Sequence, residues 1–234
     1  MALLKDFEQI IDNGLTKNTI TMLKGVPAAG KTILAVTLAA ELLESGKKCL
    51  YITTELPPTE VLENAEIIGK DLSNYVVKGA LRFADAYSWR LDVRGDNVIN
   101  LPDLGQFGHV IKEMMDSQGK GCVVIFDTLT GLMVYHEPEH VIKFMQIQVA
   151  RFRQNGSFTL IIIETGAVDR NVMRMLTLGV DALVEIKLRE ERGYLRRYLR
   201  VFSAKKAKHR TEWIPFDVTS KGFALRMEGL KKEI

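Results

Sequence analysis

The chain has 234 residues, 47% hydrophobic and 26% charged, enough for one well-buried α/β domain over residues 1–234 and short for two. It has no run of 18 apolar residues, so no membrane span is expected, and its start, Met1-Ala2-Leu3-Leu4-Lys5-Asp6, lacks the basic residues and long apolar stretch of a secretory signal. Net charge is only +3, but residues 187–210 hold ten Lys/Arg against two Glu while the remainder holds 22 basic against 27 acidic residues, which suits either a phosphate-rich or acidic partner or a solvated hairpin.

Residues 19–23, a β-branched and apolar run, predict a first strand. Gly25-Val26-Pro27-Ala28-Ala29-Gly30-Lys31-Thr32 follow and spell G-x-x-x-x-G-K-[ST], the phosphate-binding loop. Residues 33–43 are strong helix formers, so the motif stands between a strand and a helix, the context it requires. In such a loop the backbone N–H groups and the helix N-terminus wrap the phosphates. Gly25 and Gly30 are expected to take dihedrals that side chains forbid. Lys31 is expected on the β- and γ-phosphates and Thr32 on Mg²⁺.

Residues 48–54 form a buried-strand run closed by Glu55, followed by Pro57 and Pro58 and a helix over 59–68. A short strand is predicted over 80–85, an aperiodic loop over 86–103 and a helix over 104–115. Cys122-Val123-Val124-Ile125-Phe126-Asp127 is an apolar run ending in one aspartate, placed to hold the metal side of the site. A helix over 139–154 and a strand ending in Glu164 come next, then residues 173–178 as part of a short helix. The tail, about 182–227, alternates and turns at Glu191-Arg192-Gly193, which predicts antiparallel hairpins. Both cysteines, Cys49 and Cys122, fall in apolar strand runs and are expected to be buried thiols of a cytoplasmic protein.

Alternating strands and helices predict a doubly wound, mainly parallel sheet, whose ligands collect at the carboxyl ends of the strands. Glu55 there is the expected base for a water attacking the γ-phosphate. Glu164, at another strand end, is a candidate γ-phosphate sensor. His136-Glu137-Pro138-Glu139-His140 matches H-E-x-x-H literally, but Pro138 breaks the helix that zinc chemistry needs, so a helix start is expected instead. Tyr194, Arg196, Tyr198, Arg200 and Phe202 share one strand face; they suit either contacts to single-stranded DNA or an amphipathic edge strand covering the core or a subunit interface.

Taken together, the phosphate loop, Glu55 closing the next strand, the run ending in Asp127 and the basic hairpin resemble RecA-superfamily ATPases. The nearest resemblance is to single-domain KaiC-like and archaeal RadA-paralogue proteins. Ile10-Ile11-Asp12-Asn13-Gly14-Leu15 is similar to their lead-in. Residues 194–202, Lys208-His209, Pro215-Phe216-Asp217-Val218 and Lys221-Gly222 are similar to their C-terminal signature, and the match spans about residues 7–226. The resemblance implies a RecA-like core, ring or filament assembly (a hexamer among the rings), and ATP with Mg²⁺ between subunits. It also implies that a neighbour sends basic residues to the γ-phosphate from 203–209, with Lys205, Lys208 and His209 as the candidates. The family's Lys-x-Arg-Gly is here Ser203-Ala204-Lys205-Lys206, Leu56 replaces a second acid after Glu55, and Ala28 replaces a common glycine. These departures point to slow hydrolysis or a nucleotide switch read by a protein partner. The recombinase side of the family has a DNA-facing loop after the fifth strand, which makes Arg170 and Arg174, beside Arg196 and Arg200, the candidate DNA contacts. A nucleotide-binding module without turnover is the third alternative.

Overall fold

The computed structural model describes residues 2–12, 14, 18–205 and 207–227. Asn13 and Leu15 of the lead-in and Lys206 of the basic segment lie outside the described residues. The chain runs α1 (Ala2–Ile10), β1 (Ile20–Gly25), α2 (Lys31–Glu44), β2 (Cys49–Thr53), α3 (Pro58–Ile67), α4 (Ser73–Val77), β3 (Leu81–Asp85), a 3₁₀ turn (Ser88–Leu91), α5 (Leu104–Gln118), β4 (Val123–Asp127), a second 3₁₀ turn (Leu129–Val134), α6 (Pro138–Asn155), β5 (Phe158–Glu164), α7 (Arg170–Thr177), β6 (Ala182–Glu191), β7 (Tyr194–Ala204), β8 (Ile214–Thr219) and β9 (Gly222–Leu225). These strands form one sheet in the order β3-β2-β4-β5-β1-β6-β7-β8-β9. The strands from β3 to β6 pair in parallel, and β6 to β9 pair antiparallel. This is the doubly wound α/β architecture with appended hairpins that the alternation predicts.

The parallel strands are buried on both faces, which is why they read as unbroken apolar runs. Successive side chains point to opposite sides, so two cores form. Leu23, Tyr51, Ile162 and Val184 pack under α1, α2 and α3. Met22, Ile52, Phe126 and Ile161 pack under α5, α6 and α7. Glu41 of α2 accepts from the backbone N–H groups of Leu3 and Leu4 at 3.0 Å each, so one helix satisfies the open amino end of another. Among the described residues, no helix is long and apolar enough to cross a membrane.

Several boundaries depart from expectation for local reasons. The helix expected to include 173–178 is α7, which begins at Arg170 because Asp169 accepts from the N–H groups of Asn171 and Val172. α5 runs on to Gln118 and stops where Gly119 takes φ +90°. The loop over 86–103 is not wholly irregular: Asp85 accepts from the N–H groups of Tyr87 and Ser88 at 2.9 Å and starts the 3₁₀ turn. The expectation of an edge strand at β7 is also corrected. β8 pairs with it along Arg197–Leu199, which makes that stretch interior. Beyond the end of β1 at Gly25, opposite Ile186, the tips of β6 and β7 project as a two-stranded arm.

Candidate nucleotide site

The site gathers at one edge of the sheet because parallel strands bring their carboxyl ends together. Thr53 lies opposite Asp127 on β4, and Gly25 lies opposite Glu164 on β5. A cavity of about 450 Å³ opens between these strand ends, lined by Ala28, Lys31, Thr32, Glu55, Asp127 and Glu164. Of the expected loop, Gly25 closes β1, Val26, Pro27, Ala28 and Ala29 form the turn, and Gly30 enters α2 with φ +100°. No side chain caps α2 at Gly30, so its first amides are available to an anion.

The two loop glycines are required for different reasons. Gly30 has a backbone that a side chain would strain. Gly25 does not, contrary to expectation. A Cβ there would meet Cβ and the backbone oxygen of Ile186 at 3.1 and 3.2 Å, so its need is for space beside β6. Ala28 sits at φ +58°, a left-handed conformation that costs a residue with a Cβ about 1 kcal/mol. Ala28→Gly is therefore expected to raise stability by up to about 1 kcal/mol, seen as a higher thermal midpoint, the flexibility of glycine in the unfolded chain offsetting part of the gain.

Lys31 is buried, and its ammonium donates to the carbonyl of Val26 at 2.9 Å and to Glu164 Oε1 at 3.2 Å. It therefore lies across the loop, ion-paired with the candidate sensor. Asp127 is buried and accepts from Tyr51 Oη at 2.7 Å, and Thr32 lines the same cavity. Burial pushes the Asp127 carboxyl above its ordinary range, while Tyr51, Thr32 and Lys31 pull it down and Glu164 pushes it up. The Tyr51 phenol is raised too, first by burial and then by Asp127. Glu55 is solvent-accessible at the mouth, yet the cavity walls desolvate it. Its carboxyl is pushed up to about 7, first by that desolvation and then by Glu164 and Asp127, against the pull of Lys31 and Arg90. Three carboxylates around one lysine thus leave a local excess of negative charge that a cation would relieve.

The structure does not bring the remaining candidates to this cavity. Ala204 pairs with Ala182 at the start of β6, next to the start of β1, so the segment after β7 lies at the opposite edge of the sheet from the loop. There Lys205 Nζ donates to the carbonyl of Leu178 at 2.8 Å, the Lys208 carbonyl accepts from Asp12 N, and His209 bridges to Ile11. Arg200 is held by Glu185 at 2.6 Å and stacks over Trp213, and Arg196 lies over Tyr194 on the projecting arm. Arg170 and Arg174 are exposed on α7. His136 precedes α6, its Nε2 is 2.9 Å from the Leu101 carbonyl, and His140 stands in the first turn after Pro138, so the two histidines do not share a helix.

Sequence reasoning missed Tyr51 on Asp127, Asn64 of α3 in the cavity wall, and Arg90 beside Glu55. Tyr51 reads as one more apolar strand residue, and Arg90 sits in an aperiodic loop. Only a phenolic oxygen in the middle of a buried strand could have singled out Tyr51.

Comparison with known proteins adds the last observation. Residues 2–229 match the family described as "ATPase: KaiC". The chain belongs to the KaiC ATPase family. KaiC-type membership makes it a RecA-superfamily P-loop protein with a nucleotide-binding function. It is similar to a UPF0273 protein of Pyrococcus horikoshii, 26% identical over 92% of this chain and 88% of that protein. A UPF0273 protein of Thermotoga maritima is 23% identical, with 93% of this chain and 91% of that one covered. The circadian clock oscillator protein KaiC of Synechococcus elongatus is 26% identical over 94% of this chain, which spans only 43% of that longer protein. The crystal structure of a KaiC-like protein from Pyrococcus horikoshii shares the KaiC-type fold with a TM-score of 0.77, at 18% identity and 94% coverage of both chains.

Proposed function

We propose that this protein binds Mg²⁺-ATP, hydrolyses it slowly and acts as a nucleotide switch in a regulatory, cytoplasmic, ring-forming assembly. The supporting observation is the convergence of Lys31, Thr32, Asp127, Glu55 and Glu164 on one cavity at the amino end of α2. In this reading the loop amides and Lys31 hold the phosphates. Thr32 and Asp127 offer hard oxygen donors, the chemistry Mg²⁺ prefers. Among the described residues no cluster of three or more His, Cys, Asp or Glu could hold a metal alone, which fits an ion that shares its ligands with phosphate. Bound Mg²⁺ would neutralise charge on the phosphate oxygens. Glu55, at the open mouth, takes the proton of the attacking water.

Glu164 acts here as the sensor that trades Lys31 for phosphate. Nucleotide binding must draw the ammonium off Glu164, so the 3.2 Å pair opposes binding. Glu164→Gln is expected to tighten Mg²⁺-ATP binding several-fold, on the order of 1 kcal/mol for one partly exposed charge, and to lower phosphate release. A calorimetric Kd no tighter than wild type would remove that role.

Phosphate release by wild type, Lys31→Ala and Glu55→Gln tests the enzyme reading; three indistinguishable rates would favour a module without turnover. Lys205, Lys208 and His209 serve a neighbouring subunit in this account, since their own cavity is at the other edge of the sheet. Single-stranded DNA is the weaker reading, because Glu185 already occupies Arg200. Arg170 and Arg174 keep it testable. Oligonucleotide titration at low salt is expected to give no binding; a Kd that weakens steeply as salt rises would favour the recombinase reading instead.

A further inference from the structure

We infer that Arg90 is a positioning residue for hydrolysis, fixing the strand end that carries Glu55 through the carbonyl of Thr54. The inference rests on the hydrolytic reading above and adds to it a residue in a loop that carries no motif. Thr54, the residue before Glu55, is fully buried. Its N–H donates to the Asp127 carbonyl at 3.0 Å. Its hydroxyl donates to the Thr128 carbonyl at 2.7 Å and accepts from Thr128 N–H at 3.1 Å. Its carbonyl accepts from Arg90 Nη1 at 3.1 Å. Every polar atom of Thr54 is therefore held, three of the bonds by the Asp127 strand end and one by Arg90. A buried carbonyl deprived of its donor carries a desolvation penalty, so removing Arg90 favours a shift of this strand end.

Arg90 is itself fixed, although its loop is exposed. Nη1 also faces the carbonyls of Ala86 and Tyr87 at 3.3 and 3.4 Å, and Nε donates to Tyr135 Oη at 3.3 Å. The guanidinium lies 5.2, 5.3 and 5.6 Å from the ring centres of Tyr87, Trp89 and Tyr135. A planar fork inside three rings is a rigid mount, and a lysine keeps the charge but loses the fork. The mount flanks the strand end that carries Glu55: Tyr87 and Trp89 follow β3 on one side of β2, and Tyr135 follows the turn after β4 on the other. Its effect is on where Glu55 stands rather than on how nucleotide binds, since neither Arg90 nor its rings line the phosphate cavity.

The test compares Arg90→Gln, Arg90→Lys and the milder Tyr135→Phe with wild type. It reads steady-state phosphate release, affinity for a fluorescent ATP analogue, and backbone hydrogen exchange over residues 51–58. Misplacing a reacting group by about 1 Å costs on the order of 100-fold, so Arg90→Gln should lower kcat about 10- to 100-fold with nucleotide affinity changed less than about threefold. Arg90→Lys should recover part of the rate. Exchange at Thr54, whose N–H is held by the Asp127 carbonyl, should quicken in Arg90→Gln while α2 is unaffected, and Tyr135→Phe should fall between. Unchanged kcat, kcat and affinity falling together with no recovery in Arg90→Lys, or unchanged exchange would each overturn the inference. Loss of turnover in Glu55→Gln with none in Arg90→Gln would overturn it alone. Wild-type turnover by Glu55→Gln would overturn the hydrolytic reading, and Arg90's part with it.

Discussion

Glu55→Gln is expected to lower phosphate release by about 10²- to 10⁴-fold while Mg²⁺-ATP binding is retained. Glutamine keeps the size of the side chain and removes only its ability to take a proton. The pH dependence gives an independent check. In the nucleotide-free protein the Glu55 carboxyl is pushed up to about 7. The base works only when ionised, and kcat/KM reports groups of the free enzyme, so kcat/KM should rise with pH and level off above about 7. That rising limb should vanish in the residual rate of Glu55→Gln. The same group acts on stability in the opposite direction. A carboxyl whose folded value is raised holds its proton more tightly folded than unfolded. Its contribution is complete below the ordinary carboxylate range and is lost as pH rises through about 7. Activity should therefore climb through the window in which this group's support for the fold declines, by an amount that solvent at the cavity mouth reduces.

Lys31→Ala is expected to weaken Mg²⁺-ATP binding by about 10²-fold or more, with the fold retained. A charge-assisted hydrogen bond contributes about 1.5–3 kcal/mol, and in the proposed complex this ammonium serves two phosphates. Its removal also takes the lysine from among Glu164, Asp127 and Glu55, which adds repulsion against an anionic ligand. The two variants thus separate binding from chemistry: one loses affinity, the other loses rate.

Much of this site was legible because its residues obey local rules. The spacing from Gly25 to Thr32 is a chain-local pattern, and Glu55, Asp127 and Glu164 each end an apolar run, which topology alone brings to one edge. What the sequence hid is non-local. Gly25 is needed because Ile186, far along the chain, lies against it. Tyr51 reads as core until its hydroxyl meets Asp127. Arg90 has no period or motif and gains its meaning only when the sheet order sets β3 beside β2. The same limit misplaced β7 as an edge, since the partner that covers it, β8, is joined through a segment with no regular pattern. Helix starts escape the apolar period where a side-chain cap decides them, as Asp169 does for α7.

The central claim is that the amino end of α2, with Lys31, Thr32 and Asp127, cradles a magnesium nucleotide. Isothermal titration of Mg²⁺-ATP into protein shown to be folded by its thermal melt tests it most directly. Binding should be saturable, weakened when Mg²⁺ is chelated and largely lost in Lys31→Ala. Absence of binding heat across a range of temperatures, or equal binding by wild type and Lys31→Ala, would contradict it.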